Sequence, residues 1–210
     1  MKVLAIIVTY GNRFNFLKRV VNSILKQDVY KIIIIDNNSS FESKEKLKGF
    51  EKELRSHKIK VFYLNDNYGS AGGYKMGLKQ AYKDQECDFI WLLDDDNKPD
   101  KKALSVLKEY WQGIKDKQKI FALLSYRKDR DAYKEAVINE KPDLVLGRKN
   151  SFLGFHLVDL PRKISKIIKR KLGVYTIGKD NHIKSGKISV APYGGMFFQK
   201  KIIEEIGYPN

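Results

Sequence analysis

Apolar positions run through the first half of the chain in two alternating rhythms. The unbroken stretch from Val3 to Thr9 predicts a strand buried on both faces. Phe16, Leu17, Val20, Val21, Ile24 and Leu25 then recur at helical spacing among Lys and Arg. Tyr30 to Ile35 predicts a second buried strand, closed by a loop of loop-type residues, Asp36 to Ser40. A charged helix with Leu47, Phe50 and Leu54 inward precedes a third strand, Ile59 to Leu64. The Gly/Asn loop 65–73 leads into a helix through Met76, Leu78, Ala81 and Tyr82. Phe89 to Leu93 predicts a fourth strand, and Pro99-Asp100 opens a helix carrying Leu104, Leu107, Trp111 and Ile114. Four strand-plus-helix repeats with continuously apolar strands predict an α/β fold: a mostly parallel, Rossmann-like sheet with helices on both faces.

Beyond Ile120 to Ser125, a fifth predicted strand, the pattern loosens. Residues 126–187 mix charge, glycine and short apolar runs without a dependable period. Ser189 to Gln199, with Gly194-Gly195 at its centre, reads as strand, turn, strand, and Lys200 to Ile206 as a short helix. The expected organisation is an α/β half over 1–125, a basic insertion over 126–187, and the start of a further half over 188–210.

Composition narrows the class. With 42% hydrophobic residues among 210, a disordered chain is excluded. The 41 Lys+Arg against 25 Asp+Glu give a net charge of +16, which favours anionic partners. Nucleic acid is not among those expected, because neither a recognition helix nor a basic strand face interleaved with aromatics is present. No apolar run approaches the ~18 residues that span a bilayer, and the N-terminus has no cleavable leader pattern. The single Cys87 suits a reducing compartment, so a cytoplasmic protein is expected.

The polar clusters all fall at the carboxyl ends of predicted strands, where open parallel sheets bind ligands. They are Thr9, Tyr10 and Asn12 after the first strand, Asp36 and Asn38 after the second, Asn67 with Gly69, Gly72 and Gly73 after the third, and Asp94-Asp95-Asp96 after the fourth. Three adjacent carboxylates repel one another, and a divalent cation relieves this. Mg²⁺ or Mn²⁺ is held typically by one or two carboxylates together with substrate phosphates. By strand alternation Asp94 and Asp96 share a side, the candidate metal ligands, while Asp95 points elsewhere. The glycines allow close backbone approach, the helix start offers free N–H groups to an anion, and Lys75 stands ready for a phosphate. The glycine spacing matches neither the dinucleotide fingerprint nor a P-loop.

Ile6-Ile-Val-Thr-Tyr10 with Asn12-Arg13, Ile34-Ile-Asp36-Asn-Asn-Ser39, Asn67-x-Gly69-x-x-Gly72-Gly73 and Trp91-Leu-Leu-Asp94-Asp-Asp96 together resemble the nucleotide-sugar half of family 2 glycosyltransferases with the GT-A fold. Rhamnosyl- and galactofuranosyltransferase-like members are the nearest branch by the Gly-Gly loop and triple Asp. Gly194-Gly-Met-Phe-Phe198 and Ile206-Gly-Tyr-Pro209 resemble the family's acceptor-side strand and turn, with Gly194 and Gly195 on the acceptor side. The resemblance implies a donor that is a UDP- or dTDP-linked sugar and an acceptor that is a glycan or lipid-linked glycan. It also implies metal-dependent, inverting transfer in surface polysaccharide assembly. Thr9 and Tyr10 would line base and ribose, Asp36 would bond base or ribose, and Asn67 with its glycines would approach the sugar-nucleotide. Asp94 would lie against ribose or metal, Asp96 would bind the metal, and Asn12, Asn38, Lys75 and Asp95 would complete the donor site.

Two features depart from that pattern. The family's catalytic base follows the Gly-Tyr-Pro turn, so it is expected after Asn210, and none of His57, His156 and His182 stands where a metal-completing His belongs. The alternative expectation is therefore a truncated, non-catalytic fragment that binds nucleotide-sugar. Residues 162–172 carry Arg162, Lys163, Lys166, Lys169, Arg170 and Lys171 beside Ile164, Ile167, Ile168 and Leu172 at helical spacing. Such a helix suits peripheral contact with an anionic membrane, or an ordinary surface helix packing its Ile stripe.

Overall fold

The computed structural model describes residues 1–54, 57–115, 122–125, 131–140, 145, 188 and 191–209. The chain forms two compact units, residues 1–126 with 192–210, and residues 127–191. In the first unit the elements run β1 (Val3–Gly11), α1 (Phe14–Ile24), β2 (Lys31–Ser39), α2 (Phe41–Leu54), β3 (Ile59–Tyr63), α3 (Gly69–Lys83), β4 (Phe89–Asp94), α4 (Ala103–Gly113) and β5 (Leu123–Leu124). The second unit contributes α5 (Asp131–Ile138), and the chain returns to the first with β6 (Met196–Gln199) and α6 (Ile202–Ile206). The basic stretch 162–172 lies outside the described residues.

The six strands form one sheet in the order β3-β2-β1-β4-β6-β5. β3, β2, β1 and β4 are parallel, and β6 lies antiparallel between β4 and β5. The expected mostly parallel α/β sheet is thus observed. Side-chain alternation explains the two layers. Val3, Ala5 and Ile7 of β1 face one side with Ile32, Ile34, Trp91 and Leu93, covered by α1, α2 and α4. Leu4, Ile6 and Val8 face the other with Ile33, Ile35, Ile90 and Leu92, covered by α3 and α6. Helix α3 lies close on this side, because Gly73 and Gly77 face Val8 and Ile6 where a Cβ would collide.

Three local expectations change. β2 does not stop at Ile35 but pairs on to Ser39, since Gly11 of β1 pairs with Ser39 after Thr9 pairs with Asp36. Two steps on β1 then match three on β2, a bulge, and Asn38 takes the left-handed conformation (φ 59°) that Asn tolerates. Of the predicted fifth strand, Leu123–Leu124 is observed as a strand, and residues 120–121 lie outside the described residues. Residues 191–195 form a turn leading into β6, with Gly195 at φ 94°, and residues 189–190 are outside the described set.

Candidate functional site

Strand order reverses at β1, whose neighbours β2 and β4 are each reached through a crossover, so the crevice for a ligand opens at the carboxyl ends of β1 and β4. Side chains bridge it there. Thr9 Oγ1 donates to Asp95 Oδ2 at 2.8 Å. Arg13, just before α1, donates through Nε to both Asp95 oxygens at 2.9 Å and through Nη2 to Oδ1 at 2.7 Å. The same Nη2 reaches Asp96 Oδ2 at 2.7 Å. The rings of Tyr10 and Phe16 lie 5.2 and 5.6 Å from the guanidinium carbon, within cation–π range. The hydrogen bonds with Asp95 push the guanidinium's pKa still higher, so the charge is permanent.

The acidic triplet is therefore divided: Asp95 turns away from Asp94, as alternation predicts, while Asp96 shares Arg13 with Asp95. β4 ends at Asp94, and Asp95 and Asp96 sit in a turn closed by Asn97 N–H onto the Asp94 carbonyl at 3.3 Å. Asp95 is 3% exposed and hydrogen-bonded by Thr9 and Arg13, which braces the turn. Asp96 shares the guanidinium with Asp95 but keeps 45% of its side chain exposed. Asp94 faces α3: its Oδ1 accepts from Tyr74 Oη at 3.0 Å, and its Oδ2 abuts Gly194. Tyr74 is 2% exposed, and burial together with Asp94 pushes its phenol far above the usual tyrosine range, so it remains a donor.

The loop before α3 is built around Asn37. Its buried amide donates to Asn67 Oδ1 and to the Gly69 carbonyl, both at 2.9 Å, and its Oδ1 accepts from Tyr68 N–H at 3.0 Å. Asn67 Oδ1 also caps Gly69 N–H at 2.9 Å, and Gly69 takes φ 69°. Asp36 is fully buried. Its Oδ1 accepts from Ser39 N–H at 3.0 Å, while Oδ2 has no hydrogen-bond partner and lies 3.9 Å from Lys44 Nζ. Lys75 lines a cavity of about 200 Å³ on the flank of α3 with Leu64, Tyr68, Gly72, Met76 and Lys79. Tyr10, Asn12 and Asn38 are exposed at the carboxyl edge.

Among the described residues no group of three or more His, Cys, Asp and Glu is placed to hold a metal ion. The chemistry of Asp94 and Asp96 is nevertheless compatible with a divalent cation. Both are hard oxygen donors at least partly open to solvent, and Mg²⁺ or Mn²⁺ takes its remaining ligands from phosphate and water. Glu204 is held elsewhere: its Oε1 accepts from Tyr82 Oη at 3.0 Å, near the far end of α3, about 20 Å along the helix from Gly69 at 1.5 Å per residue.

The family model described as glycosyl transferase family 2 matches residues 5–207. The chain belongs to glycosyl transferase family 2. Its fold is the GT-A fold, as in a mannosyltransferase from Pyrobaculum calidifontis solved with GDP-Man and Mn²⁺. That structure matches with TM-score 0.52 at 16% identity, over 63% of this chain and 37% of the mannosyltransferase. A GalNAc-T7 structure with UDP, GalNAc and Mn²⁺ matches with TM-score 0.39 at 24% identity, over 45% of this chain and 17% of that one. The family 2 chain thus spans little more than a third of the mannosyltransferase's length. No curated protein matches it.

Three residues that tie this strand-end cluster together carry no role of their own in the sequence reading: Arg13, Asn37 and Tyr74. Arg13 stands in the Asn12-Arg13 pair and Asn37 in the Asp36-Asn-Asn-Ser39 run, so both lie within motifs of the family resemblance. Tyr74 is not singled out along the predicted helix of Met76, Leu78, Ala81 and Tyr82.

Proposed function

We propose that this family 2 chain transfers a sugar from a nucleotide-diphosphate donor, UDP- or dTDP-linked, to a glycan or lipid-linked acceptor, with a divalent cation and with inversion. The observation that carries the reading is the division of the acidic turn. Asp95 is neutralised within the protein, while Asp94 and Asp96 border the switch-point crevice near the N-terminus of α3. Asp94 and Asp96 hold the cation. When bound, it stabilises the charge of the departing nucleotide diphosphate. Tyr10, Asn12 and Asn38 border the nucleoside, with Thr9 and Asp36 beneath them, and Asn67, Gly69, Gly72 and Gly73 place the N-terminal end of α3 beside the diphosphate and sugar. Lys75 adds positive charge on the flank of α3. Gly194 and Gly195 border the acceptor side.

The GDP-Man and Mn²⁺ in the mannosyltransferase structure support a nucleotide-sugar and a divalent cation for this fold. A glycan acceptor near a membrane accords with the basic run 162–172, which we take as a peripheral contact with anionic lipid. The test is calorimetric titration with UDP in millimolar Mn²⁺ and again in excess chelator. Binding that weakens sharply in chelator, and a variant Asp96→Ala that no longer responds to Mn²⁺, are the expected results. Equal affinity in both conditions for the unsubstituted chain would overturn the metal role.

A further inference from the structure

Asp94 is held from two sides by elements far apart in the chain. On one side stands Tyr74 of α3, whose hydroxyl lies 2.9 Å from the Leu93 carbonyl oxygen and 3.0 Å from Asp94 Oδ1. On the other is the turn that leads into β6. Gly195 N–H donates to the Leu92 carbonyl at 2.7 Å, which pins the turn to the end of β4. Tyr193 of the same turn packs on Tyr74 with ring centroids 4.9 Å apart. Gly194 is buried between them, and a Cβ on it would run into the Asp94 carboxylate. Gly194 does not have a positive φ, so its backbone does not require glycine. The space beside Asp94 is what glycine supplies.

We infer that Tyr74 and Gly194 are positioning residues that set the orientation of the Asp94 carboxylate, and so tie metal binding to the turn before β6. The inference rests on the proposed metal role of Asp94 and goes one step further. An outer partner that donates to a ligating carboxylate fixes which oxygen faces the ion, and losing such a partner typically costs roughly 10–100-fold in metal affinity. Tyr74→Phe removes only the hydroxyl and leaves the ring against Tyr193. Gly194→Ala fills the space on the opposite side of the carboxylate and leaves α3 untouched.

The experiment measures UDP affinity by calorimetry, with Mn²⁺ and with excess chelator, for the unsubstituted chain, Tyr74→Phe and Gly194→Ala. Binding of Mn²⁺ alone is followed by electron paramagnetic resonance. Both variants should lose about tenfold or more in UDP affinity in Mn²⁺, bind Mn²⁺ alone more weakly, and match the unsubstituted chain in chelator. A purely structural role would instead lower the melting temperature and weaken binding equally in both conditions, and that result overturns the inference. So does a metal response in both variants equal to that of the unsubstituted chain. If Tyr74→Phe does not fold, Gly194→Ala decides by the same comparison. Absence of a metal response in the unsubstituted chain refutes the metal role itself, and is distinguishable because it needs no variant.

Discussion

Asp95 and Asp96 are neighbours with opposite prospects, and the difference lies in Arg13. Its guanidinium forks onto Asp95 through Nε and Nη2 and touches Asp96 through Nη2 alone. A lysine has no such fork, so it could not hold both carboxylates in this geometry. Removing Asp95 would strand Thr9 Oγ1 and the buried part of the guanidinium. Asp95→Ala should therefore cost about 1.5–3 kcal/mol of stability, the range for hydrogen bonds to charged groups. Asp96→Ala, at a half-exposed side chain, should cost far less stability while removing the response to Mn²⁺. Urea unfolding of the two variants side by side checks this; equal midpoints would show that Asp95 does not brace the turn.

At the scale of elements, the register between β2 and α3 is secured at the edge opposite the site. Lys31, the first residue of β2, donates to Asp84 Oδ2 at 2.6 Å just beyond the end of α3. Burial works to raise the Asp84 carboxyl, but Lys31 and the Glu86 N–H outweigh it and hold its pKa below the ordinary 3.8. A carboxyl whose pKa is depressed on folding stabilises the fold fully above 3.8 and loses that contribution as pH falls through the lower folded value. Asp84→Asn should thus lower the urea midpoint at neutral pH, and the penalty should shrink as pH drops from about 5 toward 2. A penalty unchanged across that range would show that the ion pair is not its source.

For the whole molecule, charge is the dominant quantity: +16 over 210 residues, with six basic side chains and no acidic one between 162 and 172. Each basic residue near an anionic surface is worth ~1 kcal/mol, so the proposed membrane contact would give reversible attachment at low salt. The chain should sediment with phosphatidylserine-containing vesicles and not with neutral ones. Changing Lys169, Arg170 and Lys171 to Glu should abolish this and leave UDP affinity intact. Equal sedimentation with both vesicle types would refute the membrane contact. No helix among the described residues is long and apolar enough to cross a membrane.

Local rhythm in the sequence determined the repeating strand and helix pattern, because period 3.6 and unbroken apolar runs are read within a few residues. The same rhythm put four polar clusters at strand ends, and so assigned Thr9, Asn67 and the Asp triplet to one edge of the sheet. Tertiary structure alone decided what those residues do to one another. Arg13 meets Asp95 across 82 residues, Asn37 meets Asn67 across 30, and Gly194 meets Asp94 across a whole unit of the chain. Alternation separates Asp95 from Asp94, but it applies only while the strand lasts, and β4 stops at Asp94, so the contact of Asp96 with Arg13 lies beyond its reach. Which carboxylate is buried and which remains open follows from the partners that folding delivers. No spacing along the chain encodes their arrival.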